Sequence, residues 1–252
     1  MRKTTSGRGE NNLEIYCLAG LATAPRFMEN LRLALMERLG RTDVFEGAGI
    51  RSGLLYPYGD WSRNAIAQMR EIRADMSRKD GGFEKSIGGG RALEAIGRER
   101  GESGDSGKVG TTLLVGHSGG GIAAVHAAAV LTAGGASASC FAVKIGSPRC
   151  RIPERLKSRV LSIHAEGRKR SGGAARSPDF VSRIGSYGGW GRSRAWPVWR
   201  SALHAPGTRI AVPIVGKHAD YFRDKAPYLN EDGKSNLELV VEAIAAWLTA
   251  WK

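Results

Sequence analysis

One serine in this chain has the neighbours that a nucleophile needs. Ser118 stands in Gly-His-Ser-Gly-Gly at residues 116–120, which fits the pattern G-x-S-x-G. The apolar run at 111–115 predicts a short buried strand before it, and the run of small residues at 121–131 predicts a helix after it. A serine on such a strand-to-helix turn is a nucleophile elbow, with its hydroxyl at the helix N-terminus, where amides stabilise negative charge. The alternative, a glycine-rich turn with an incidental serine, is less favoured because both flanking elements are present.

A serine hydroxyl is a weak nucleophile near neutral pH, so it needs a base, and the chain has five histidines. His117 lies within the elbow, His126 on the following helix and His164 inside a strand pattern, and we interpret all three as packing or surface residues. His218 follows the last predicted strand, where the carboxyl edge of a parallel sheet brings a loop back to the serine. We predict His218 as the base, with His204, in a loop containing proline and glycine, as the next candidate.

The base in turn needs a carboxylate that orients it. Asp179, which follows the fifth predicted strand and a basic insertion, is the leading candidate. Glu166 is a rival because it lies closer to the strand end. Asp220 is a second rival, two residues after His218, where it could instead be a surface or turn-forming residue.

Acyl transfer also needs amide donors for a developing oxyanion. The residue after the nucleophile, Gly119, supplies one backbone N–H. The loop that follows the first predicted strand, residues 18–23, contains Gly20 and lets the backbone approach closely, so Leu21 is predicted to supply the other.

The elements that must position these groups alternate regularly along the chain. Six strands are predicted, at residues 13–18, 53–56, 111–115, 140–145, 159–164 and 208–214, and Pro213 confines the end of the last one to a sheet edge. Helices are predicted at residues 25–39, 61–78, 121–131 and 235–251, with a shorter one around 91–99. Strands separated by helix-length crossovers predict a single α/β domain over residues 1–252. Its mostly parallel sheet of about six strands is covered by helices on both faces.

Three segments interrupt this alternation. Residues 80–108 are rich in glycine, serine and charge, which favours a cap or a flexible insertion. Residues 167–177 form a basic loop insertion. Residues 190–200 interleave tryptophans with arginines. They are interpreted either as a wall of the substrate site that favours an anionic headgroup or as a segment packed on the core with solvated arginines.

Composition limits the functional classes. The net charge is +14, but the charges are spread along the chain without a zinc-finger, RNA-recognition or basic-zipper motif. This favours a solvated basic surface over a specific nucleic-acid site and leaves an anionic membrane or lipid interface as a candidate partner.

Three cysteines cannot form a closed disulfide framework and lack metal-ligand spacing, so no metal and no cofactor are expected. No apolar run is long enough to cross a membrane and no leader is visible. The expected location is therefore cytoplasmic, or secreted if a leader was removed.

From about Thr111 to Phe222 the chain resembles the α/β-hydrolase superfamily and, within it, the class 3 (fungal-type) lipases. The resemblance rests on four motifs: the elbow, the Lys-Ile-Gly-Ser-Pro-Arg run at 144–149, the Arg-Val strand at 159–164 leading to Asp-Phe-Val-Ser-Arg-Ile at 179–184, and His218 followed by Tyr221-Phe222. Leu21 also resembles a residue of the oxyanion loop of bacterial lipases, although Ala19 replaces the usual histidine.

This resemblance implies a serine esterase or lipase with a triad of Ser118, His218 and Asp179, acting on an ester or lipid through an acyl-enzyme. The chain departs from the family in the insertion before Asp179 and in lacking an evident apolar lid. Thioester, amide or phospholipid acyl groups stay open as substrates. So does a catalytically silent hydrolase scaffold that serves as a basic binding module.

Overall fold

The fold is built on a six-stranded sheet in which every neighbouring pair of strands is parallel. A computed structural model of the chain describes residues 12–102, 109–135, 137–167, 177–192 and 196–251. The strands are β1 (Leu13–Leu18), β2 (Ile50–Leu55), β3 (Val109–His117), β4 (Ser137–Ile145), β5 (Val160–Ala165), β6 (Gly189–Arg192), β7 (Pro197–Arg200) and β8 (Thr208–Val212). The order across the sheet is β2-β1-β3-β4-β5-β8.

The described residues form five α-helices, which are α1 (Glu29–Gly40), α2 (Ala65–Met76), α3 (Ile87–Glu102), α4 (Gly120–Gly134) and α5 (Asn236–Thr249). One core cluster joins α1 and α5 to one face of the sheet, and a second joins α2, α3 and α4 to the other face. The predicted α/β class, with about six mostly parallel strands covered on both faces, is therefore confirmed.

Strand register brings three chain segments together at one edge of the sheet. Leu18 at the end of β1 pairs with Gly116 of β3, and His117 at the end of β3 pairs with Ile145 at the end of β4. All six residues of β1 are buried, because both faces of a central parallel strand are covered. The loops that follow β1, β3 and β4 consequently leave the sheet side by side.

Helix boundaries differ from the sequence prediction for local reasons. α1 begins at Glu29 rather than at residue 25, because Arg26 has a φ of +63°, which no α-helix tolerates. α2 begins at Ala65 rather than at residue 61, because the Asn64 side chain accepts a hydrogen bond from the backbone N–H of Ala67 and caps the helix there.

The segment at residues 80–108, predicted as a cap or flexible insertion, contains all of α3. This helix buries Ala92 and Ile96 in the core cluster that it shares with α4. Asp75 fixes its start, since that buried carboxylate accepts hydrogen bonds from the backbone N–H groups of Ile87 and Gly88. Residues 103–108 lie outside the described residues, and a capping role for this segment stays a prediction.

The tryptophan-rich segment forms an element that the periodicity did not predict. β6 and β7 pair as an antiparallel hairpin, in which Trp190 and Trp199 pack edge to face with ring centroids 5.6 Å apart. Trp190, Trp196 and Trp199 are 69%, 77% and 50% exposed, so they do not pack the segment on the core.

Of the basic insertion at 167–177, only its two end residues lie within the described part. No helix among the described residues is long and apolar enough to cross a membrane.

Candidate active site

Ser118 occupies a strained turn between β3 and α4. Its φ is +53°, a left-handed value that is uncommon for a residue other than glycine and that clusters at functional sites. The side chain is partly exposed. The flanking glycines leave no room for a side chain, because a Cβ on Gly116 would run into the backbone of Gly120, and one on Gly120 into the carbonyl of Leu18. The spacing of small residues thus has a steric cause.

The loop after β1 packs directly on this turn. A Cβ added to Gly20 would lie 2.6 Å from Cβ of Ser118 and 2.9 Å from the backbone nitrogen of Gly119. Among the described residues, neither the N–H of Leu21 nor that of Gly119 donates to a protein acceptor. The two amides predicted for an oxyanion hole are therefore both unengaged and lie on adjoining backbone segments.

A buried glutamine fixes the loop, which the sequence did not indicate. Oε1 of Gln68 accepts a hydrogen bond of 2.9 Å from the N–H of Ala22. The side-chain amide of Gln68 donates to the carbonyls of Asp60 and Arg63 at 2.7 and 3.0 Å. The N–H of Ala22 already donates to Gln68, whereas the neighbouring N–H of Leu21 is left to donate to an oxyanion.

His218 and Asp179 are hydrogen bonded to each other. Nδ1 of His218 lies 3.0 Å from Oδ1 of Asp179. An ionised carboxylate only accepts hydrogen bonds, so Nδ1 carries the proton, and Nε2 of the neutral ring is left unprotonated. The Asp179 side chain is 1% exposed and that of His218 is 27% exposed, so the ring separates the carboxylate from solvent.

Asp179 is kept ionised by its hydrogen bonds. Burial opposes the charge, but hydrogen bonds from His218, the Tyr221 hydroxyl and the Ser182 backbone outweigh it and lower the pKa of Asp179 below its ordinary value. The N–H of Val181 also donates to Oδ1, at 2.9 Å. The Asp179 carboxylate is therefore an oriented negative charge beside the imidazole.

Tyr221 is a member of this network whose role the sequence did not reveal. Its hydroxyl donates to Oδ2 of Asp179 at 2.9 Å and accepts from the N–H of Ala165, at the end of β5, at 2.8 Å. Burial, with the nearby carboxylate of Asp179, raises the pKa of Tyr221, so the hydroxyl stays protonated. Tyr221 thus ties the carboxylate to the edge of the sheet.

His117 connects the elbow to the loop that carries His218. The two rings stack with centroids 4.7 Å apart, and Nε2–H of His117 donates to the carbonyl of His218 at 3.0 Å. Burial and the neighbouring His218 lower the pKa of His117 to about 3, so this ring is neutral at neutral pH. His218 is therefore held against the residue that precedes Ser118. The Ser118 side chain makes no hydrogen bond with any described residue, and its approach to His218 stays a prediction.

The other histidines that could have served as the base make different contacts. His126 is buried on α4 beside Ser86, and backbone bonds tie His204 to the segments around Tyr187 and Ile152. His164 lies on β5, outside the contacts of the elbow.

The two rival acids are also outside the His218 network. Glu166 is exposed. Asp220 accepts a hydrogen bond from the N–H of Lys217 and lies close to Arg223, which is the turn-forming role considered for it.

Exposed apolar side chains flank the site on two sides. Trp61, Ile66 and Met69 are 67%, 61% and 55% exposed. Trp61 adjoins the β1 loop, since its N–H donates to the carbonyl of Thr23. Ile66 and Met69 lie on α2, whose Gln68 holds the same loop. Phe180, next to Asp179, is 66% exposed. Among the described residues, no three His, Cys, Asp or Glu side chains converge as metal ligands.

Comparison with known proteins adds a distant likeness to solved structures, of which a cutinase is one. Trichoderma reesei cutinase in complex with a C11Y4 phosphonate inhibitor matches 69% of this chain and 73% of its own, at 14% identity and a TM-score of 0.32. A likeness of that size assigns no residue and no activity to this chain. No protein-family model and no curated protein matches the sequence, so the resemblance to class 3 lipases continues to rest on the motifs.

Proposed function

We propose that this protein is a serine hydrolase that cleaves carboxylic esters through an acyl-enzyme. The observation that carries the proposal is the 3.0 Å hydrogen bond from His218 to the buried Asp179. The His218 ring stacks on His117, the residue before a serine that has a φ of +53° between β3 and α4. The left-handed backbone of the serine opposes folding, and such strain clusters at functional sites. The carboxylate is buried, and its hydrogen bonds hold it ionised beside the imidazole.

In the proposed mechanism, Nε2 of His218 takes the proton of the Ser118 hydroxyl as its oxygen attacks the ester carbonyl carbon. The carbonyl π bond breaks, and the resulting oxyanion accepts hydrogen bonds from the amides of Leu21 and Gly119. The C–O bond to the alcohol then breaks, and the alcohol leaves with the proton from His218. Asp179 stabilises the imidazolium throughout. Water, deprotonated by His218, next attacks the acyl-enzyme and releases the acid and the free serine.

The ester is proposed to have a modest apolar acyl group. Trp61, Ile66 and Met69 supply exposed apolar surface beside the β1 loop, and Phe180 supplies it beside the acid. Thioester, amide and phospholipid acyl groups would use the same nucleophile, and the alternative is a catalytically silent scaffold.

A fluorophosphonate probe tests the nucleophile directly, because it labels only an activated serine. We expect the wild-type protein to be labelled, Ser118→Ala to be unlabelled, and Ser201→Ala, an exposed serine in a loop, to be labelled like wild type. Turnover of p-nitrophenyl esters of increasing chain length should fall by several orders of magnitude in Ser118→Ala. Absence of labelling in folded wild-type protein would favour the silent scaffold.

We further propose that the β6–β7 hairpin contacts an anionic lipid surface. The exposed Trp190 and Trp199 rings lie on paired strands that also carry the exposed Arg192 and Arg200. Aromatic and basic side chains together favour the headgroup region of an anionic bilayer. Anionic vesicles should bind more tightly than neutral ones and be released by salt. Equal binding to both, unaffected by salt, would refute this interface.

A further inference from the structure

A polar pocket of about 450 Å³ lies on the face of β5 and β8 opposite α5. Its residues alternate with the core residues of the same strands. Ser162 and His164 alternate with Leu161 and Ile163 on β5, and Arg209 precedes Ile210 on β8. A volume of this size falls in the range of small-molecule sites, roughly 300–1,000 Å³.

Three arginines from separate elements converge on this pocket. Arg149 follows β4, Arg183 lies in the loop after Asp179, and Arg209 lies on β8. The other described lining residues are His164 and four hydroxyl residues: Ser162, Ser177, Ser182 and Tyr187. The described lining therefore contains hydrogen-bond donors and no carboxylate.

None of the three guanidinium groups has an acidic partner among the described residues. Arg149 lies near the ring of Tyr187 and Arg183 near that of Phe180, at 5.9 and 5.8 Å. Within the part of the chain that the structure describes, no acceptor is hydrogen bonded to the side-chain N–H groups of Arg149 and Arg183. Several other described arginines do have acidic partners, as Arg100 has in the buried Glu14 at 2.7 Å.

The histidine in the pocket is affected by this concentration of charge. Burial, with the neighbouring Arg209 and Arg149, lowers the pKa of His164. Like charges around one cavity repel each other, and an anion bound among them would relieve that repulsion. A neutral His164 adds a ring N–H donor to the pocket without adding to the repulsion between the arginines.

We propose that this pocket binds the phosphoryl group of a phosphate monoester. Three guanidinium groups with several hydroxyls offer more donors than a carboxylate could use, whereas a phosphate monoester presents three terminal oxygens and up to two negative charges. The rest of the cavity would hold a small polar alcohol portion, since hydroxyl and imidazole groups rather than apolar side chains line it.

This site is separate from the proposed ester hydrolysis and requires no chemistry at Ser118. One wall of the pocket belongs to the loop that carries Asp179, because the Ser182 hydroxyl donates to the Asp179 carbonyl at 2.8 Å. Binding can therefore be measured with no turnover, and the failure of either proposal would leave the other intact.

The test is titration calorimetry of the full chain with glycerol 3-phosphate at constant ionic strength. We expect saturable binding of one molecule per chain. Arg209→Gln and Arg183→Gln should each weaken it by about tenfold or more, since each removes a charge-assisted donor. Both residues are exposed, so thermal unfolding without ligand should match that of wild type. The matched control is Arg38→Gln, an exposed arginine on α1, which should bind like wild type.

Further arms distinguish the source of the phosphoryl group. Inorganic phosphate should displace glycerol 3-phosphate, and equimolar acetate should not. Vesicles containing phosphatidic acid that compete in wild type but not in Arg209→Gln would identify a lipid headgroup as the source. Failure of vesicles to compete would identify a soluble monoester.

Two results would overturn the proposal. One is the absence of saturable binding by both glycerol 3-phosphate and phosphatidic acid vesicles. The other is an equal loss of binding in Arg38→Gln and in the pocket variants. Affinity for the anion would then depend only on the net charge of the protein. If single-stranded DNA binds, and Arg38→Gln weakens that binding as much as the pocket variants do, the basic residues would form a diffuse nucleic-acid surface and not this site.

Discussion

Gly20→Ala is the sharpest test of the proposed oxyanion hole. The new Cβ would lie 2.6 Å from Cβ of Ser118 and 2.9 Å from the backbone nitrogen of Gly119 and the carbonyl oxygen of His117. All three atoms belong to the backbone or are fixed to it, so no flexible side-chain end can move aside. The β1 loop itself must withdraw from the elbow, and the amide of Leu21 moves with it.

The size of the effect follows from that distance. Ordinary van der Waals contact begins near 3.4 Å, so the loop must retreat by about 0.8 Å. A misplacement of about 1 Å costs roughly 10²-fold in rate, and complete loss of one oxyanion donor costs about 10²–10³-fold in kcat. We therefore expect kcat to fall by about 10²-fold. KM should change little, because the hydrogen bond strengthens only as the oxyanion forms.

The assay is steady-state hydrolysis of a short p-nitrophenyl ester, together with the rate of fluorophosphonate labelling. The matched control is Gly90→Ala on α3, where an added Cβ meets nothing within 4 Å. That variant should keep wild-type kcat and gain about 0.5–1 kcal/mol in the free energy of unfolding, because alanine favours helix. Wild-type kcat in a folded Gly20→Ala variant would refute the assignment of this loop as an oxyanion donor.

Three further predictions follow from the hydrogen bonds and buried histidines. Asp179→Asn should lower kcat by about 10³-fold. An imidazolium–carboxylate pair about 4 Å apart is worth about 4 kcal/mol at an effective dielectric of 20, and a loss below tenfold would contradict the role of Asp179 as orienting acid. Tyr221→Phe should raise the pKa of Asp179, shift the acid limb of the kcat–pH profile upward and reduce kcat by about tenfold; an unchanged profile would show that the hydroxyl is only structural. The pKa values of His117 and His126 are about 3 and about 4 in the folded protein. Because the unfolded chain binds these protons near pH 6.5, the free energy of unfolding should decrease as the pH falls below 6.5, with a slope of about 2.5 kcal/mol per pH unit near pH 5. Urea denaturation at several pH values measures that slope, and a flat profile would contradict the buried neutral histidines.

The sheet and the elbow could be predicted because their signals are local. Buried parallel strands are continuous apolar runs, and the β1 prediction at residues 13–18 coincides with the strand. The turn at Ser118 excludes side chains on both flanks, so its small residues are visible in the sequence. Asp179 and His218 were predicted from chain order, and the hydrogen bond between them agrees with that order.

The remaining features depend on contacts between distant segments, which periodicity does not encode. Gln68 holds the β1 loop from 46 residues away, and Tyr221 reaches Asp179 across 42 residues. The sequence pattern around Gln68 or Tyr221 would fit an ordinary buried side chain equally well. The arginine pocket is hidden for the same reason, since Arg149, Arg183 and Arg209 come from separate segments. Backbone pairing of Arg149 with Gly185 brings the first two together, and the pairing of β5 with β8 places the third.

His117 combines a packing role with contact to the proposed base. The sequence predicted packing, and the ring is indeed buried against Phe27 and Phe222. Its Nε2–H also holds the carbonyl of His218, the residue that must become cationic during the proposed reaction. A cation at residue 117 would oppose that charge at a ring separation of 4.7 Å. Burial keeps His117 neutral, so the same desolvation that makes it a core residue lets it position the base without repelling the imidazolium.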